Sequence, residues 1–160
     1  MPYRPYYVPS ALQRFFPQRT WRVKTTEKVL YLSFDDGPIP EVTPWVLDQL
    51  QAHQAKATFF CVGDNVRKHP EIFARLQAEG HAVGNHSFHH LKGTETPLEE
   101  YLADVALCAE QFSSSLFRPP YGRIKKAQAQ ELRRAGYHII MWDSMALDWQ
   151  EDLSGEQCAE

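Results

Sequence analysis

The sequence predicts an α/β fold in which parallel strands are covered by helices, as an open sheet or a barrel. Three observations carry that expectation. Short apolar runs alternate with amphipathic helical stretches, the links between them are short, and the residues with chemical potential cluster where strands should end. In such folds functional residues gather at the C-terminal ends of the strands.

Taken in order, residues 1–20 read as an N-terminal arm, rich in aromatic residues and proline, ahead of a single domain over 21–160. KVLYLSF (28–34) reads as a buried strand that stops at Asp35-Asp36-Gly37-Pro38. Residues 40–54 place Val42, Trp45, Val46 and Leu50 at helical spacing. KATFFCVG (56–63) is a second strand. Asp64 is positioned to cap one helix running to Glu79, with Gly80 as its stop. HAVGNH (81–86) is a third strand. Residues 96–112 form a long helix with Leu98, Tyr101, Leu102 and Val105 on one face. LFRPPYG reads as strand and loop, KKAQAQELRRAG as a polar helix closed by Gly136, and YHIIMWDSM as another buried strand.

Composition narrows the function classes. At 160 residues the chain holds one core and not two. A formal charge of -3 supplies no basic field for nucleic acid or an anionic membrane surface. Cys61, Cys108 and Cys158 are too widely and irregularly spaced for a disulfide framework or a zinc pattern, so buried thiols are expected. No apolar window approaches the ~20 residues of a membrane span. The N-terminus has no continuous apolar stretch of a signal peptide, which favours the cytoplasm. Oligomeric state is not legible.

Four stretches carry chemistry. Asp35 and Asp36 are adjacent carboxylates at a strand end, where they repel unless something positive holds them. GNHSFHH supplies three imidazoles: on a helical turn His86 and His90 would share a face and grip one cation, whereas His86 with His89 is the rival register. Two imidazoles and one carboxylate leave positions open for water, the pattern of a catalytic rather than a structural zinc site, and the second carboxylate is then free to act as a base. In RPPYG, Pro119 and Pro120 fix the backbone, so that Arg118 can orient a carboxylate and a backbone N–H at Tyr121 can donate to an oxyanion; a plain surface loop is the other reading. MWDSMALDW offers Asp143 and Asp148 with two tryptophans, which suit either a sugar platform or a core.

In this order, SFDDGP, GNHSFHH, RPPYG and the strand ending in LDW resemble the first four motifs of the polysaccharide deacetylases, the NodB-like carbohydrate esterase family 4, from about Trp21 onward. The resemblance implies a distorted (β/α) barrel, a divalent metal (zinc, with cobalt as a substitute) and removal of N-acetyl groups from an amino-sugar polymer or oligomer. Asp35 falls at the catalytic base. Asp36, His86 and His90 fall at the metal ligands, which selects His90 over His89. Arg118 falls at the arginine that holds the base, Tyr121 at the oxyanion donor beside the substrate, and Asp148 and Trp149 at the groove-lining pair, in which the aspartate has a catalytic part in tuning a histidine acid.

Two departures from the pattern follow. Met145 stands where an acidic residue is common. The family's late strand ending in an acid histidine has no counterpart before Glu160, and His138 sits at the wrong end of its strand. The chain is therefore expected to lack its C-terminal strand and closing helix, and to be impaired. Competing expectations are a sugar-binding module without catalysis, against which Asp35 counts, and a hydrolase of a non-sugar amide on the same barrel.

Overall fold

The structure is a computed structural model that describes residues 7–148, 150 and 152–159. A short helix α1 (Ser10–Arg14) precedes β1 (Leu32–Asp35), α2 (Thr43–Ala52), β2 (Ala57–Cys61), α3 (Gly63–Lys68), α4 (Pro70–Ala78) and β3 (Ala82–Asn85). Then come α5 (Leu98–Ala109), β4 (Leu116–Phe117), a 3₁₀ turn (Pro120–Gly122), α6 (Lys126–Arg134), β5 (His138–Ile139) and α7 (Gly155–Ala159). The strands form one parallel sheet in the order β1-β2-β3-β4-β5. This sequential winding is that of a (β/α) barrel wall rather than of a doubly wound sheet, whose order reverses at a switch point. All C-terminal strand ends therefore share one rim.

Two apolar clusters hold the helices to the sheet. Leu47, Leu50, Phe59, Val66, Phe73 and Leu76 join α2, α3 and α4 to β2. Tyr101, Val105, Phe117, Leu132 and Ile139 join α5 and α6 to β4 and β5. The near-continuous burial of ATFFC in β2 reflects a parallel strand covered on both faces. Cys61 and Cys108 are buried free thiols, and Cys158 is half-buried.

The structure corrects four sequence expectations. The single helix over 64–79 is two helices, broken at His69 (φ −130°, ψ 57°), because Pro70 lacks an N–H and pushes the preceding residue out of the helical region. Asp64 is not the cap; it lies in the first turn of α3 and pairs with Arg67 and Lys68. The strand expected from Lys28 begins at Leu32, and Val29, Leu30 and Tyr31 are exposed. The His86–His90 segment is a loop rather than a helical turn, with Ser87 and His90 both at positive φ.

The chain before β1 lies along the outer edge of β5. Thr20 donates its N–H to Ile139 O (2.8 Å) and accepts one from Met141 (2.8 Å), Val8 N–H donates to Asp143 O, and Arg22 pairs with Asp143 at 3.0 Å. No helix among the described residues is long and apolar enough to cross a membrane.

His81 sets a pH limit on this fold. Its buried ring accepts the Ala57 N–H at Nδ1, and burial lowers its pKa. The unfolded chain then takes up the proton first, so this contribution is whole above the ordinary value near ~6.5 and is lost as pH falls through it. Melting curves from about pH 7.5 to about pH 5.5 are expected to fall more steeply for the wild type than for His81→Gln, which does not titrate.

Candidate metal centre and active site

The rim brings the two neighbouring carboxylates to different partners. Asp35 ends β1 and its Oδ1 accepts from Arg118 Nη1 at 2.7 Å. Asp36 follows at φ 68°, and its Oδ1 faces His90 Nε2 at 3.0 Å and His86 Nε2 at 3.3 Å. Asn65 from α3 donates to Asp36 O at 2.7 Å and so ties the turn down. Hydrogen bonding to His86, and next to His90, holds the Asp36 carboxyl well below the usual carboxylate range. Adjacent aspartates coexist here because each turns to its own partners, Asp35 to Arg118 and Asp36 to the two imidazoles.

His86 leaves the end of β3 and is buried. Its Nδ1 lies 2.7 Å from Arg118 O, a carbonyl that only accepts, so Nδ1 carries the proton. His86 Nε2 then faces the Asp36 carboxylate. At this range a shared proton or a cation can bridge the two atoms. The ligand atoms of Asp36, His86 and His90 all lie within 4.8 Å of one another. This is a donor set suited to a divalent cation, with the second ring nitrogen of His86 already engaged by a backbone carbonyl in the way of metal-ligating histidines.

Arg118 is the hub of the second half of the site. Its N–H groups donate to Ser33 Oγ (2.8 Å), Asp35, Ile140 O (3.3 Å) and Met141 O (3.0 Å), and its guanidinium stacks over Phe60 at 4.0 Å. Burial pulls its pKa down while Asp35 acts to raise it. The pocket over Asp36 and His90 is lined further by Val62, Asp64, Asn65, Phe88 and His89.

Tyr121 sits in the left-handed region (φ 58°), its ring exposed and 4.6 Å from the His90 ring. Gly122 follows at φ +65°, where a Cβ would lie 2.6 Å from Trp142. The turn uses the N–H groups of Gly122 and Arg123, which donate to Pro119 O and Pro120 O; the Tyr121 N–H takes no part in either bond. Asp148 is exposed, after Leu147 at φ 60°, and among the described residues makes no bond to Asp35, Arg118 or the three clustered ligands. Trp149 lies outside the described residues. His89 does not join the cluster; its Nδ1 pairs with Asp104 at 2.6 Å. His138 is at the N-terminal end of β5, away from the rim.

Sequence reasoning missed Ser33, Asn85 and Asp104. Asp104 had a signal: it is an acidic residue inside the buried stripe Tyr101, Asp104, Val105, Cys108 of α5. Ser33 and Asn85 had none.

A barrel-wound parallel sheet with a carboxylate–bis-imidazole cluster at its C-terminal rim is a candidate divalent-metal site at the rim where such folds gather their functional residues. The chain belongs to the polysaccharide deacetylase family, whose profile, described as "Polysaccharide deacetylase", matches residues 22–140. It is 37% identical over 138 residues to a peptidoglycan-N-acetylglucosamine deacetylase of Bacillus cereus, covering 83% of this chain and 62% of that one. It is 35% identical over 132 residues to the peptidoglycan-N-acetylmuramic acid deacetylase PdaA of Bacillus subtilis, covering 78% of this chain and 50% of that one. The crystal structure of the Bc1960 peptidoglycan N-acetylglucosamine deacetylase superposes with a TM-score of 0.85 at 29% identity, over 95% of this chain and 73% of that chain. The chain thus spans about half to two-thirds of the length of these two curated relatives.

Proposed function

We propose that this chain is a metal-dependent hydrolase that removes N-acetyl groups from amino sugars of a polymer or oligomer. The observation that carries the reading is the pairing of two adjacent aspartates with different partners: Asp36 with His86 and His90, and Asp35 with Arg118. Asp36, His86 and His90 would hold a divalent cation, with zinc the first choice for a carboxylate–bis-imidazole set and cobalt a substitute. When bound, the cation supplies Lewis acidity, which polarises the acetyl carbonyl and makes water easier to deprotonate.

The remaining steps belong to the chain's own residues. Asp35, fixed by Arg118, accepts the proton of the attacking water as its oxygen bonds to the carbonyl carbon. The Tyr121 N–H donates to the oxyanion that develops. Asp35, now protonated, carries the proton that the departing amine needs, and the C–N bond breaks to give acetate and a free amino sugar. The exposed Tyr121 ring beside His90 is the apolar contact offered to the sugar. By resemblance to the family, Asp148 and Trp149 are the further residues proposed to act on the sugar.

The names of the relatives favour N-acetylglucosamine or N-acetylmuramic acid units. Parallel acetate assays on N-acetylglucosamine oligomers, a peptidoglycan fragment and small cyclic amides test the substrate class. Release from the sugars alone is expected; release from the cyclic amides alone would replace the sugar reading with amide hydrolysis on the same barrel.

A further inference from the structure

The loop that carries His90 is held in an unfavourable shape. Ser87 (φ 61°) and His90 (φ 57°) are both left-handed without being glycine, a conformation that persists only where surrounding contacts impose it. Contacts from three sides do so. Asn85 Oδ1 accepts the Ser87 N–H at 2.8 Å. The start of α3 donates from Gly63 to Ser87 O (2.9 Å) and from Asp64 to Phe88 O (3.1 Å). The approach is close: a Cβ on Gly63 would lie 2.6 Å from the Phe88 ring and 3.0 Å from Cys108 Cα.

The third side is Asp104, a carboxylate buried in the inner stripe of α5. Burial of a carboxylate is unfavourable unless donors replace its water. Here Oδ2 accepts the N–H groups of Phe88 (2.9 Å) and His89 (3.1 Å), and Oδ1 meets His89 Nδ1 at 2.6 Å. All three donors belong to the two residues immediately before His90. No other charged side chain of α5 is buried.

We propose that Asp104 is a positioning residue for the metal centre: by gathering these three donors it fixes the backbone that delivers the His90 imidazole beside Asp36 and His86. The inference rests on the metal reading given under Proposed function. It gives a reason for a buried charge that touches none of the three clustered ligand side chains. Loss of the carboxylate leaves the two N–H groups unsatisfied, so the loop is free to relax from the left-handed His90 geometry and the ligand set loosens.

Zinc affinity of this 160-residue chain, measured by competition with a chromophoric chelator, tests it, together with the visible absorption of the cobalt form. Asp104→Ala is expected to bind zinc ~10–100-fold more weakly, with an altered cobalt spectrum. Asp104→Asn keeps one oxygen for the backbone N–H groups and is expected to lose less, and it decides the matter if the alanine variant does not fold. His89→Ala leaves both backbone bonds to Asp104 and is expected to stay within roughly threefold of the wild type. Wild-type affinity and spectrum in the folded Asp104 variants would overturn the inference, as would a His89→Ala loss equal to that of Asp104→Ala. Failure of the wild type to bind zinc or cobalt would overturn the metal reading itself, and this inference with it.

Discussion

Asp36→Ala is expected to abolish the stabilisation of the protein by zinc. A ligand at 100 times its Kd stabilises the folded state by about 2.7 kcal/mol, which for a chain of this size raises Tm by roughly 5–10 °C. Asp36 supplies the one oxygen that both imidazoles face, at 3.0 and 3.3 Å. Without it, two histidines remain, and the zinc-dependent rise in Tm should shrink to less than ~2 °C. Differential scanning of wild type and variant, each with zinc and with chelator, measures this. An undiminished rise in the variant would place the metal elsewhere.

Arg118→Ala is expected to damage both the fold and the activity. Arg118 joins β1, through Ser33 and Asp35, to the chain beyond β5, through Ile140 O and Met141 O. Its removal takes from Asp35 its charge partner and from two carbonyls the Arg118 donor. Asp35 keeps about a third of its side-chain exposure, so water recovers part of the loss. The stability cost is expected at roughly 2–4 kcal/mol, read from urea or thermal unfolding. Arg118→Lys restores a charge but not the forked geometry, and is expected to recover only part of both losses. Stability within ~1 kcal/mol of the wild type in Arg118→Ala would contradict the hub role.

Much of this site was legible because its chemistry is carried by short runs at strand ends. The Asp35-Asp36 pair, the three histidines and RPPYG each stand where an apolar run stops, and the parallel winding brings those ends to one rim. What was not legible depends on contacts between distant segments. Ser33 and the carbonyls of residues 140 and 141 become partners of Arg118 only once β1 and β5 stand on opposite sides of it. The left-handed Ser87 and His90 carry no glycine to announce them, so the four-residue spacing read as a helical turn. Pro70 did announce the break in the helix over 64–79, and the apolar periodicity across it hid the signal.

Acetate release from N-acetylglucosamine oligomers by the zinc-loaded chain, with Asp35→Asn beside it, tests the central claim most directly. Release by the wild type is expected, with a fall of ~10²–10⁴-fold in the variant, which keeps its zinc affinity. Release that is equal in both proteins would contradict the assignment of Asp35 as base. No release by a wild type that binds zinc and oligomer together would contradict the hydrolase itself and leave a sugar-binding module in its place.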